Sequence, residues 1–253
     1  MPIKKLSKYQ TRHIQYVKNK VAKAIIDYNL IEKGEKVLVG VSGGKDSLVL
    51  IEVLSAIREY DFLEFNLHAI HIDVEEVPYK VSREKLSQIC KNIGVPIEFI
   101  DIKTGLSEES EKSPCFICSW HRRKAIFNYA QKNGFTKVAL GHHMDDAVET
   151  LLINMAYHGN ISSIPQKLSM FNDKLVLIRP LMLLTNKDTA EYSNIRNYPK
   201  QSESCPYEDK TKRNTSRELI QQLKKIHPKA LQNIYGSMSN IDQDYLPKGI
   251  KKR

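Results

Sequence analysis

The sequence predicts an α/β fold, a doubly wound and mainly parallel sheet with a basic helical C-terminal extension. Three observations lead there. The β-branched run 37–41 stops at Gly43 and Gly44 and passes into the helix-like stretch Leu48, Val49, Leu50, Ile51 and Val53, a change of period that marks a strand-to-helix turn. Strand-like runs at 65–73 and 97–102 follow, with a helix-like segment between them, and this alternation is that of a parallel sheet with ligands at the carboxyl ends of its strands. The chain has 253 residues, enough to bury a sizeable core in one domain with a small appendage.

Taken in order, Ile14, Val17, Val21, Ile25 and Ile26 recur at helical spacing among lysines, predicting an amphipathic leading helix over about residues 9–29. After the first strand and the loop helix, 65–73 alternates as a second strand. Residues 79–93 read as a helix with Cys90 on its apolar side, and Gly94, Val95 and Pro96 break it before the third strand. Residues 103–114 form a polar loop leading to two cysteines. A helix over 121–131 then opens on Arg122, Arg123 and Lys124, and 137–140 is a short strand. Residues 147–157 are helical, 174–179 form an edge segment bounded by Pro180, and 186–195 are helical again. The stretch 198–213 is irregular, and one basic helix over about 215–237 closes the chain. The organisation expected is a leading helix (1–33), a sheet domain carrying the cysteine loop (34–200), and a segment with a third cysteine and the basic tail (201–253).

Thirty-nine basic against 29 acidic residues give a net charge of +10, with lysines crowded towards both ends. That balance suits a polyanionic partner such as nucleic acid, and also a lysine-rich solubility surface. No run is long and apolar enough for a membrane span, and the first twenty residues lack the apolar core of a secretion signal, so a cytoplasmic protein with no membrane partner is expected. Four cysteines in such a chain do not suggest a disulfide framework.

The string Ser42-Gly43-Gly44-Lys45-Asp46-Ser47 sits where phosphates bind. Glycines let the backbone approach an anion, helix N-terminal N–H groups point at it, and the two serine hydroxyls add donors. It is not the Walker loop, which needs G-x-x-x-x-G-K-S/T. A second string, Gly141-His142-His143-Met144-Asp145-Asp146, follows the fourth strand. One of its aspartates could hold Mg²⁺, a hard cation that takes oxygen ligands, while the other caps the helix. Asp73 ends the second strand two residues after His71, on the same side, and is a candidate for the nucleotide edge or a turn aspartate. Cys115-x-x-Cys118 presents two soft ligands, a spacing shared by iron–sulfur clusters, redox or persulfide-carrying pairs and zinc sites. Cys205 is the remaining plausible third ligand, and three thiols with an open position favour a cluster over structural zinc. Cys90 reads as core.

The hexapeptide resembles the pyrophosphate loop of the N-type ATP pyrophosphatases, whose fold is adenine nucleotide alpha hydrolase-like, and the string GHHMDD resembles their second motif. A leading helix, SGGKDS, PCFIC before basic residues, GHHMDDAVETLL, RPL and a late Cys-Pro-Tyr together resemble the tRNA 2-thiocytidine synthetase family of tRNA sulfurtransferases. The resemblance implies a homodimer with a 4Fe-4S cluster on Cys115, Cys118 and Cys205. It implies adenylation of a tRNA pyrimidine at its C2 oxygen, cytidine at position 32, by ATP with Mg²⁺, and replacement of that oxygen by sulfur from a cysteine desulfurase or inorganic sulfide. Carried over, Ser42, Gly43, Gly44, Lys45, Asp46 and Ser47 form the pyrophosphate loop and Gly141, His142, Asp145 and Asp146 belong to the second nucleotide motif, with Asp46 and Asp145 in catalysis. Read from position rather than from the resemblance, Asp73 is a further nucleotide-edge candidate, and Arg122, with Arg123 and Lys124 beside it, is a catalytic candidate that could hold tRNA phosphate or the adenylated intermediate. Many bacterial members have a second close cysteine pair late in the chain, whereas this sequence has Cys205 alone. The absence of cysteine-rich fingers separates it from the 2-thiouridine synthetases. A lysidine-forming ligase would not need the cysteines, and a redox-sensing nucleotide-binding module would not need the basic tail.

Overall fold

The computed structural model describes residues 6–60, 63–77, 81–105, 113–199 and 212–246. Among these, the chain forms two compact units, one from residues 1–143 with 165–211 and the other from 144–164 with 212–253.

The first unit is the sheet. β1 (Lys36–Gly40) pairs in parallel with β2 (Asn66–Val74) and β4 (Lys137–Ala139). β2 carries β3 (Ile97–Ile102), and β4 carries β6 (Leu175–Ile178), both also parallel. An antiparallel strand, β5 (Lys167–Met170), closes the far edge, giving the order β3-β2-β1-β4-β6-β5. The expected doubly wound parallel sheet is therefore present. The segment expected at the edge, 174–179, is instead an inner strand, because a hairpin brings β5 alongside it.

Helix α1 (Lys8–Asp27) starts at a capping box in which Ser7 and Gln10 satisfy each other's backbone N–H, and it buries Val17, Val21, Ala24 and Ile25. It packs on α2 (Lys45–Ile57) and α6 (Asn186–Arg196), so the leading helix belongs to the sheet unit rather than standing apart. α2 is buried along nearly its whole length, as a helix must be that is covered on both faces. Its one buried acid, Glu52, accepts a 3.0 Å hydrogen bond from Tyr192 Oη, another from Tyr198 Oη, and a 2.6 Å ion pair from Arg196 Nε. Burial, then the Glu52 charge, push both tyrosine hydroxyls far up, so they stay protonated and donate. The network fixes α6 over α2, the work a fully satisfied buried charge does best.

α3 (Arg83–Asn92) is capped by Ser82 and begins later than the sequence pattern suggested. α4 (Pro114–Lys132) begins earlier. Ser113 caps it, accepting from Phe116 N, and Pro114 occupies the first turn, where its missing N–H costs nothing. The two cysteines are therefore helical, not in a loop, and Arg122, Arg123 and Lys124 lie mid-helix rather than at a start.

The second unit contains α5 (Met144–His158), α7 (Lys212–Ile226) and α8 (Ala230–Ser237). Met144, Val148, Ile220 and Leu231 form its core, and Arg217 Nε donates to Glu149 at 2.9 Å. The tail is two helices, not one, since Pro228 cannot continue α7. A short 3-10 helix follows at Gln243–Tyr245. Among the described residues, no helix is long and apolar enough to cross a membrane.

Candidate nucleotide and thiol site

The loop between β1 and α2 is built to hold an anion. Gly43 has φ +84°, and a Cβ there would come 2.5 Å from Val81 Cγ1, so this position requires glycine. Gly44 is the N-cap of α2 and makes no side-chain cap bond, which leaves first-turn N–H groups without the usual side-chain acceptor. The Ser42 hydroxyl accepts from Gly44 N at 3.3 Å and lies 3.3 Å from Ser47 Oγ, which donates to the Gly44 carbonyl at 2.8 Å.

Lys45 and Asp46 do not stand free. Lys45 Nζ donates to both Asp46 oxygens, at 2.7 and 2.8 Å, and lies 3.2 Å from Thr189 Oγ1. Thr189, fully buried on α6, donates to Asp46 Oδ1 at 2.6 Å, and His143 Nε2 is 3.8 Å from the same oxygen. Sequence reasoning missed Thr189, because nothing in a lone threonine 143 positions downstream marks it as a loop contact. The second motif meets the loop through Gly141, where a Cβ would sit 3.1 Å from Asp46 C and from Ser47 N. His142, half-buried, and His143, buried, follow it.

Asp73 sits at the end of β2 with both oxygens engaged. Oδ2 takes Arg83 at 2.7 Å (Nε) and 2.6 Å (Nη2), and Oδ1 lies 3.2 Å from His71 Nε2. His71 Nδ1 is 2.6 Å from the Val41 carbonyl. Burial opposes its charge, yet the Arg83 hydrogen bond and the neighbouring His71 and Arg83 charges hold the Asp73 carboxyl below the usual range. Asp73 thus braces the root of the loop through His71, and Arg83 ties it onward to Asp101; this arrangement suits a supporting role better than direct nucleotide contact.

Cys115 and Cys118, both half-buried, share one side of the first turns of α4, with Arg122 one turn further on. The helix runs back along the strands, and Ile126 packs where Gly40 ends β1. Arg122, four residues nearer the N-terminus, is thereby carried beyond the carboxyl end of that strand, the side on which the phosphate loop lies. Its Nε is buried without a hydrogen-bond partner among the described residues, an unsatisfied donor that calls for an anion. The described residues fit a cluster to the extent of two soft ligands on one turn, and Cys205 lies outside them. Cys90 is fully buried on α3, as expected of core, and burial raises its thiol to about 11.

Asp145 and Asp146 are in the first turn of α5. Neither is a cap preceding the helix, since α5 starts at Met144. Asp145 lies 3.7 Å from Lys224 Nζ of α7. A cavity of about 610 Å³ opens between Arg58, His68 and Pro96, at the amino-terminal edge of the strands and away from these motifs.

A doubly wound sheet with this compressed loop at the end of its first strand defines a PP-loop protein, and the chain matches the PP-loop domain family over residues 10–223. The tRNA-cytidine(32) 2-sulfurtransferase of Bdellovibrio bacteriovorus is 35% identical over 235 residues, 91% of this chain and 90% of that protein. The enzyme of the same name from Nitrosospira multiformis is 34% identical, over 89% of this chain and 77% of its own. The chain belongs to this 2-sulfurtransferase family of PP-loop proteins. Among solved structures, the U34-tRNA thiolase NcsA from Methanococcus maripaludis, with its 4Fe-4S cluster, shares the fold at a TM-score of 0.74 and 21% identity, covering 96% of this chain and 82% of that one.

Proposed function

We propose that the chain is an ATP-dependent tRNA thiolase that replaces the C2 oxygen of a pyrimidine, cytidine 32 as in its relatives' name, by sulfur. The observation that carries this is the uncapped first turn of α2, with its compressed glycine loop, in a chain of the 2-sulfurtransferase family.

In this reading the N–H groups of that turn and the hydroxyls of Ser42 and Ser47 bind the pyrophosphate of ATP and stabilise the charge it gains on leaving. The C2 oxygen attacks the α-phosphorus, the bond to the β-phosphate breaks, and pyrophosphate departs. Sulfur at the sulfide level (HS⁻) then attacks C2, the C2–O bond breaks, AMP leaves with the former C2 oxygen, and the S–H proton is lost to solvent. Lys45 neutralises loop and phosphate together. Asp145 or Asp146 would offer Mg²⁺ an oxygen ligand, and Asp46 acts within the phosphate loop. Arg122, whose buried Nε lacks a hydrogen-bond partner among the described residues, would hold the adenylyl phosphate. Cys115, Cys118 and Cys205 would ligate a 4Fe-4S cluster, whose open iron supplies a place to hold sulfide. tRNA, a sulfur donor (a cysteine desulfurase or inorganic sulfide), a homodimer and a cytoplasmic setting belong to the same reading.

The place of Cys115 and Cys118 at a helix start also favours a second reading, a redox or persulfide-carrying pair, which an anaerobically purified but colourless protein would support. The reaction itself is tested by product analysis. AMP and pyrophosphate are expected from ATP in the presence of tRNA, and ADP with phosphate would reject it.

A further inference from the structure

The side of α4 away from its cysteines borders a cleft. Trp120, Arg123, Lys124 and Phe127 recur at i, i+3, i+4 and i+7 and so form one stripe. With Phe171 from the β5–β6 turn and Arg179 just after β6, they line a space of about 470 Å³, within the range of small-ligand sites. Trp120 and Phe171 are 45% and 50% exposed, an uncommon position for two large rings so close together. Phe127 meets Phe171 edge-on at 6.1 Å, and Lys124 Nζ lies 5.0 Å from the centre of the Trp120 ring. Arg123 Nε donates to the Ser119 carbonyl at 3.2 Å, and the buried Arg179 donates to the Pro165 carbonyl. No carboxylate lines the cleft among the described residues.

We propose that this cleft takes an unpaired nucleotide of the RNA substrate, its base stacked on Trp120 or Phe171 and its phosphate on Arg123 and Lys124. The inference rests on the tRNA reading above. Aromatic faces accept any base, and cations beside them accept the phosphodiester, which is how proteins grip single-stranded loops. An acidic peptide would use the cations and leave the rings in water. A second copy of a chain carrying +10 would bring like charge onto a cationic cleft.

Trp120 is the chain's single tryptophan, so its emission reports on this cleft alone. The full-length protein is titrated with unmodified tRNA and, separately, with ATP. Quenching by tRNA and not by ATP is expected, and Phe171→Ala, at an exposed position, should weaken tRNA binding roughly ten-fold with circular dichroism and solution mass unchanged. Emission unmoved by saturating tRNA while thiolation proceeds overturns the proposal. So does a Phe171→Ala protein whose solution mass falls while its tRNA affinity holds, since the cleft is then an interface between copies. Quenching without any thionucleoside counts against the reaction and supports the cleft.

Discussion

At Gly141 the two nucleotide motifs meet with no room for a methyl group. A Cβ 3.1 Å from the backbone of Asp46 and Ser47 must push the first turn of α2 aside, and backbone cannot yield as a side-chain tip can. Gly141→Ala should therefore cut kcat/KM for ATP by roughly 10- to 100-fold while the protein still folds, as steady-state kinetics beside a melting curve can show. Asp73 carries a different signature. Its folded-state carboxyl is depressed, so its contribution to stability is complete above the unfolded carboxylate range near pH 4 and fades as pH falls through the lower folded value. Urea unfolding at a series of pH values should show Asp73→Asn less stable than the parent at about pH 7, with the gap closing towards about pH 3; a constant gap would mean the charge is not what matters. Both nucleotide motifs, SGGKDS and GHHMDD, were legible from sequence because each is a short contiguous string. The partners of Asp46 and Asp73 were not, since Thr189, His143 and Arg83 reach them only through the packing of α6, β4 and α3.

Among the elements, α4 carries most of what is specific to this chain, and its start was misread from the sequence. Ser113 and Pro114 mark a helix start, whereas a start at His121 would put Arg122 to Lys124 in the first turn, where cations are unfavourable. With the start at Pro114, Cys115, Cys118 and Arg122 become neighbours on one helical face. Single replacement of Cys115, Cys118 or Cys205 by alanine should bleach a brown, anaerobically purified protein, because each removes a thiolate the iron cannot replace locally. Cys90→Ala should keep the colour and lose about 1–2 kcal/mol of packing. Loss of absorbance in Cys90→Ala with colour retained in Cys205→Ala would reverse the ligand assignment. β5 was invisible for a physical reason: it is four residues long, and its turn holds Phe171, Asn172 and Asp173 at φ 54°, 55° and 64°, a left-handed run without the glycine that usually announces it.

On the scale of the whole molecule, the sheet was readable because strand and helix periods alternate cleanly from Lys36 to Ala139 and few topologies satisfy that order. The division into units was not readable. α5 continues directly from the second motif, yet its apolar face, Met144 and Val148, is completed by Ile220 and Leu231 from the tail, a pairing that separation in sequence conceals. The basic excess told of a polyanion without naming one, and RNA came only with the resemblance carried by SGGKDS, PCFIC and GHHMDDAVETLL taken together. The measurement that tests this account most directly is mass spectrometry of nucleosides from unmodified tRNA incubated anaerobically with the protein, ATP, Mg²⁺ and sulfide. The account predicts 2-thiocytidine that depends on ATP and is lost in Cys115→Ala; tRNA returned without a thionucleoside, from protein that carries its cluster and converts ATP to AMP, would contradict it.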